Sequence, residues 1–202
     1  TIIVNIIDYN DRRPVISVSD ITILENQIGN EVGNISAIDK DTDLVNRQFI
    51  YSVHPEGILE VNNKTGALTI SKAADYEKIQ SYRLIAKVRD TGEPYLSETK
   101  EFTVTIVNQN DNQPYFTTKE YNITVSEKTE VGTLIVSVLA NDDDLDNFGK
   151  ISTYLITSGD TNKFEIDNRG NIQLKGPLNW QLKSFYTLEV IAIDEGGLNS
   201  KP

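Results

Sequence analysis

Apolar residues recur along this chain at every second position, in short runs. Ser19-Asp-Ile-Thr-Ile-Leu24, Tyr82-Arg-Leu-Ile-Ala-Lys-Val88, Glu101-Phe-Thr-Val-Thr-Ile-Val107, Tyr121-Asn-Ile-Thr-Val125 and Phe185-Tyr-Thr-Leu-Glu-Val-Ile-Ala-Ile193 all alternate and are rich in β-branched residues. A period of two turns one face of each run to a core and the other to water, so these segments are predicted strands. Asn63-Lys-Thr-Gly66, Asn168-Arg-Gly170 and Gly196-Gly197 interrupt the pattern with turn-forming residues. No long segment carries an apolar stripe at helical spacing, and the one helix-like stretch is a turn around Ala73 to Gln80.

The pattern occurs twice. Ile7-Asp-Tyr-Asn-Asp-Arg-Arg-Pro14 returns as Val107-Asn-Gln-Asn-Asp-Asn-Gln-Pro114, 100 residues later. In the same order, Ile23-Leu-Glu25 matches Val125-Ser-Glu127, Ala37-Ile-Asp-Lys-Asp41 matches Ala140-Asn-Asp-Asp-Asp144, and Ala86-Lys-Val-Arg-Asp90 matches Val190-Ile-Ala-Ile-Asp194. The offset drifts only from 100 to 104, so two related modules with small loop insertions are expected. Roughly seven short strands in about 100 residues is the profile of an all-β Greek-key sandwich of immunoglobulin-like architecture. The Cys…Trp…Cys core of immunoglobulin domains is absent, since the chain has no cysteine.

Charge narrows the chemistry. With 30 acidic and 19 basic residues the chain carries −11 at neutral pH, which disfavours nucleic acid and anionic lipid and favours cations. No window approaches the ~20 apolar residues of a membrane span. One histidine and no cysteine leave zinc and copper without their usual ligands. Three sequons, Asn34-Ile-Ser36, Asn63-Lys-Thr65 and Asn122-Ile-Thr124, point outward from the cell.

The acids gather at strand ends. Loops at one end of a sandwich meet in space, so Asp142, Asp144 and Asp194 can converge, as can Glu25, Asp75 and Glu77 in the preceding module. Between them lies Asn108-Gln-Asn-Asp-Asn112, a short string of oxygen donors. Such crowded carboxylates repel one another unless hard cations lie among them, and calcium, which accepts six to eight oxygens at loose geometry, suits them better than magnesium.

The linker resembles the Asp-x-Asn-Asp-Asn motif of cadherin repeats. Ala-x-Asp-x-Asp, Asp-x-Glu and a lone Glu near the first strand complete that family's set in its order, and the likeness covers practically the whole chain. The resemblance implies three calcium ions at the central junction. The first would be held by Glu25, Asp75, Glu77 and Asp111. The second would share Glu25, Glu77 and Asp111 and add Asn108, the Gln109 carbonyl and Asp144. The third would take Asn110, the Asn112 carbonyl, Asp142, Asp144 and Asp194, with a carbonyl near Asn147 or Phe148. Upstream, Asp8, Asn10, Asp11, Asp39, Asp41 and Asp90 would form half of a similar site, with Arg12 in place of the usual Asn.

The same resemblance divides the chain into residues 1–11, the last strand and linker of a preceding repeat; 12–107, a repeat; 108–112, a calcium-binding linker; and 113–202, a repeat lacking its last strand. It implies an extracellular fragment of a single-pass plasma-membrane protein, serving calcium-dependent adhesion with other cadherin ectodomains as partners. The alternative is a pair of spacer repeats that touch no partner. Neither a catalytic function nor a small-molecule substrate is expected. Residues 90–97 look closer to protocadherin or Fat-type repeats than to classical ones.

Some positions depart from the pattern. Asn108 stands where the family has Asp, which removes a carboxylate from the second site and lowers its expected affinity. The second module has Asn179-Trp-Gln181 where the first has Asp75-Tyr-Glu77, so its far end is expected to be calcium-poor. Asp39 to Asp43 and Asp142 to Asp146 begin like EF-hand loops, but the required Gly is replaced by Leu44 and Asn147 and the closing Glu by Ile50 and Thr153. His54, beside Pro55 and far from any nucleophile motif, reads as a surface residue, and Trp180 as a structural one.

Overall fold

The computed structural model describes residues 1–41 and 47–202; the Asp43 and Leu44 positions of the EF-hand-like reading lie outside the described residues. Every regular element among the described residues is a strand. The chain divides into two compact units, Thr1–Asn108 and Gln109–Pro202.

The first unit contains β1 (Val15–Ser17), β2 (Ile21–Leu24), β3 (Glu31–Asn34), β4 (Ser36–Ile38), β5 (Phe49–His54), β6 (Leu59–Val61), β7 (Ala67–Ile70), β8 (Ser81–Asp90) and β9 (Ser97–Val107). One sheet runs β2-β9-β8-β5, a second β3-β7-β6, and β1 pairs with β4. The β8–β9 hairpin holds register from Ser81↔Thr105 to Arg89↔Ser97, and β2 joins it in parallel, Ile21 opposite Val104 and Leu24 opposite Val107. The alternation in the sequence decides what lies inside: Ile21 and Ile23 of β2, Leu84, Ala86 and Val88 of β8, and Phe102, Val104 and Ile106 of β9 meet Ile35, Leu68 and Ile70 in one core. Ala73 to Gln80 forms a single turn in which Asp75 O accepts the N–H groups of Lys78 and Ile79.

The second unit contains β10 (Tyr115–Phe116), β11 (Leu134–Ser137), β12 (Ala140–Asn141), β13 (Ile151–Ser158), β14 (Phe164–Ile166), β15 (Asn171–Leu174) and β16 (Glu189–Asp194). They pair as β10-β12, β11-β15-β14 and β13-β16. Val138, Ala140, Tyr154, Phe164, Ile172, Leu174 and Ala192 form its core. Tyr154 keeps its hydroxyl satisfied there by accepting the Ala140 N–H at 3.1 Å.

Two predicted strands differ. Tyr121–Val125 and the first part of Phe185–Ile193 are not strands. In the first unit the corresponding β2 exists because β9 supplies its hydrogen bonds; in residues 109–202 only an isolated Ile193↔Asn199 bridge follows β16. β propensity without a neighbour's backbone does not make a strand, so Tyr121, Ile123 and Phe185 remain exposed.

Candidate metal centre

Strand period delivers the acids. In β16, Ala192 points inward, and two residues later the same phase brings Asp194 inside at the strand's end. β8 does likewise with Val88 and Asp90, and the phase of Ile21 and Ile23 in β2 carries on to Glu25. Asp90, Asp194 and Glu25 are each at most 2% exposed, an arrangement that costs several kcal/mol per carboxylate unless something positive or hydrogen-donating meets it.

In the second unit, Asp142, Asp144 and Asp194 each bring a carboxylate oxygen within 4.8 Å of the others. Asp144 is held from the linker: Asn112 donates to it through its backbone N–H (3.3 Å) and its side-chain Nδ2 (2.8 Å). The Asp144 N–H in turn donates to Asp142 Oδ1 at 2.9 Å. Asp194 Oδ1 accepts Asn110 Nδ2 at 3.1 Å and the Leu198 N–H at 3.0 Å. These bonds use one side of the cluster. Asn110 Oδ1, Asp142 Oδ2 and Asp194 Oδ2 are buried with no hydrogen-bond partner.

The first unit repeats the arrangement around Asp90. Its Oδ1 accepts Asn10 Nδ2 (3.1 Å) and the Gly92 N–H (3.2 Å), and both oxygens accept the Leu96 N–H. The Asp41 N–H donates to Asp39 Oδ1 at 2.9 Å, and Asn10 Oδ1, Asp39 Oδ2 and Asp41 Oδ2 are the bare buried oxygens. Arg12 replaces Asn112 with little loss, because the backbone of Arg12 still donates to Asp41 while its guanidinium turns out to Asp11 at 3.4 Å. Asp8 and Asp11 are exposed at the edge of this group.

At the other end of the first unit, Glu25 Oε2 accepts the Tyr76 N–H at 2.8 Å, and Glu25 and Glu77 bring carboxylate oxygens within 4.8 Å of each other. Asp75 instead hydrogen-bonds Lys78 through both the backbone N–H and the ammonium. Of the linker residues, Asn108 and Gln109 are half-buried, and Asp111 is exposed and accepts Asn112 Nδ2 at 2.9 Å. In the second unit Glu127 takes the Trp180 N–H at 2.9 Å, as Glu25 takes that of Tyr76, but Asn179 spends its oxygen on the Gln181 and Leu182 N–H groups.

The electrostatics follow from burial. The carboxyls of Asp142 and Asp144 are raised above 3.8 chiefly by desolvation, with further repulsion from Asp144 and Asp194 on the first and from Asp111 on the second. Asp41 is raised for the same first reason, opposed by the Arg12 N–H and reinforced by Asp39, Asp8 and Asp11. Asp75 is lowered by its bond to Lys78.

A hard cation fits both groups. Buried oxygens that lack donors are rare in native proteins, and here they are anionic or amide oxygens only, which is the donor chemistry of calcium; the carboxylates within 4.8 Å of one another are those of Asp142, Asp144 and Asp194, while the upstream group is marked by its bare oxygens alone.

Two glycines that support the second group were not singled out for this by the sequence reading. A Cβ on Gly196 would lie 2.1 Å from Asn110 Nδ2, and one on Gly149 2.0 Å from the Asp144 carbonyl oxygen. Gly196-Gly197 is legible in the sequence only as a turn, since the neighbour that requires it lies 86 residues away.

A family model described as Cadherin domain matches residues 19–107 and 121–201. Cadherin EGF LAG seven-pass G-type receptor 3 of Homo sapiens is 34% identical over 201 residues, covering 95% of this chain and 6% of that protein. The Fat-like cadherin-related tumor suppressor homolog of Drosophila melanogaster is 37% identical over 203 residues, covering 97% of this chain and 4% of its own length. The chain thus spans a small part of these relatives. Among solved structures, human Protocadherin-24 EC1-2 superposes with a TM-score of 0.78 at 26% identity, covering 93% of this chain and 96% of that one. Protocadherin gammaB7 EC3-6, solved as a cis-dimer, gives 0.77 at 27%, covering 96% and 51%.

Proposed function

The chain belongs to the cadherin family, and from that premise we propose that it is a piece of an extracellular adhesive ectodomain whose repeats are held by calcium at their linkers. Calcium binding is characteristic of cadherin repeats. The single observation that carries the reading in this chain is the convergence of Asp142, Asp144 and Asp194 within 4.8 Å of one another, with Asn110 Oδ1, Asp142 Oδ2 and Asp194 Oδ2 buried and lacking a donor, as are Asn10 Oδ1, Asp39 Oδ2 and Asp41 Oδ2 upstream.

The residues that would hold calcium are those named from the motifs. Asn110, the Asn112 carbonyl, Asp142, Asp144 and Asp194 supply an ion within one unit. Glu25, Asp75, Glu77, Asn108, the Gln109 carbonyl, Asp111 and Asp144 would supply two more, a reading that rests on motif order. The upstream set of Asp8, Asn10, Asp11, Asp39, Asp41 and Asp90 supplies one further ion. When bound, calcium neutralises the crowded carboxylates and ties linker to sandwich. The protein's own part is structural: Asn112 and Leu198 fix the carboxylates of Asp144 and Asp194, and Asn110 and Asn10 turn their amide oxygens inward.

The proposed domain division is residues 1–11, 12–107, 108–112 and 113–202. The partners are other cadherin ectodomains, and the parent is membrane-anchored outside this stretch. The division of labour is mechanical, and no catalytic role is assigned.

A calcium titration followed by X-ray scattering at several protein concentrations tests the reading. Stiffening on calcium binding together with concentration-dependent association is the result expected for an adhesive segment. Stiffening without association assigns the segment to the spacer role. Identical scattering in calcium and in chelator contradicts calcium-dependent rigidity.

A further inference from the structure

Of the three sequons, one sits on a turn that is built to do without its asparagine side chain. We propose that Asn63 carries an N-linked glycan, an inference that rests on the extracellular reading above.

The β6–β7 turn is closed by its neighbours. Asn62 Oδ1 accepts the N–H groups of Lys64 (3.0 Å) and Thr65 (3.1 Å), and Asn62 O accepts that of Gly66 (2.8 Å). Gly66 takes the left-handed φ of 79° that the turn requires. The Ala67 N–H donates to the Thr65 hydroxyl at 3.3 Å, and the Ala67 carbonyl accepts the Asn62 N–H at 2.8 Å. The backbone oxygen of Asn63 accepts the Tyr51 N–H at 3.0 Å, which fixes the Cα while leaving the carboxamide without any role in the turn. Asn62, Asn63, Lys64 and Thr65 are all exposed, so a bulky polar group on Asn63 Nδ2 displaces nothing packed.

The other two sequons differ. Asn34 ends β3 opposite Ala67, Ser36 opens β4 opposite Ser17, and the residue between them, Ile35, is fully buried with its N–H on Gly66 O. Asn34 Oδ1 also lies 2.9 Å from where a Gly66 Cβ would stand. Asn122 spends its Nδ2 on Glu120 at 3.3 Å.

The modification forms a bond between Asn63 Nδ2 and the anomeric carbon of a polyprenyl-pyrophosphate-linked oligosaccharide. The anomeric C–O bond to phosphate breaks, the polyprenyl pyrophosphate leaves, and the amide nitrogen gives up one proton.

The test is to secrete the whole chain from animal cells, release glycans with peptide-N-glycosidase in ¹⁸O-water, and map peptides. Expected is ¹⁸O-labelled aspartate at position 63, and loss of one glycan mass in both Asn63→Gln and Thr65→Ala, with melting in calcium unchanged in Asn63→Gln. A secreted chain that melts cooperatively and responds to calcium but carries unmodified Asn63 overturns this inference alone. Labelled Asn63 in a chain indifferent to calcium overturns the calcium reading and leaves this one standing.

Discussion

Single positions carry the chemistry, and two of them expose its logic. Gly196→Ala places a methyl group against Asn110 and so displaces the side chain that orients Asp194. Supporting contacts of this kind are worth roughly 10- to 100-fold in metal affinity, so calcium affinity of the second unit, read by calorimetry, is expected to fall by about that factor with the fold retained. The pH response has a definite sign. Asp41, Asp142 and Asp144 have folded-state carboxyls raised above 3.8, so their contribution to stability is complete below that value and is lost as pH rises through the raised range. Asp75 and Asp167, which are held low, act oppositely only below 3.8. In chelator, melting temperature is therefore expected to rise as pH falls from neutrality through the raised range of these three carboxyls, and in calcium to fall, because protons compete for the same oxygens; scanning calorimetry on both samples checks it. At this scale the sequence revealed the acids, because motif order and strand phase select Glu25, Asp90 and Asp194. It hid Gly149, Gly196 and the Asp75–Lys78 pair, which depend on what folding brings alongside.

Elements show where alternation suffices and where it does not. The central parts of β8 and β9, Tyr82–Val88 and Glu101–Val107, were legible, since each has a hydrogen-bonded neighbour that lets its period of two become a buried face; Ser97–Lys100 of β9 were not legible as strand. Tyr121–Val125 has the same period as β2 and is not a strand, because strand formation needs a partner's backbone that no propensity supplies. Leu68 of β7 is fully buried between the two sheets' side chains, so Leu68→Ala is expected to cost about 2–5 kcal/mol. Urea unfolding in saturating calcium, followed by a probe in the first unit, measures it, and the second unit's transition is expected to stay in place.

The whole molecule is two units with unequal cores. Seventeen buried apolar residues among the described ones anchor the first and seven the second, so on the calcium reading the second is expected to rely more on bound ions. Removing calcium is expected to unfold it at a lower denaturant concentration than the first, which two-probe urea curves in chelator resolve. The repeat, and with it the family, was readable from sequence because the motifs recur in order at an almost constant offset; the imbalance of the cores was not, since it follows from which strands find partners. The account stands on divalent ions filling the bare oxygens of Asn110, Asp142 and Asp194. A crystal structure grown in millimolar calcium tests this most directly. Calcium bonded to all three residues at about 2.3–2.6 Å is the predicted result, and well-ordered side chains there with water or no density between them would contradict it.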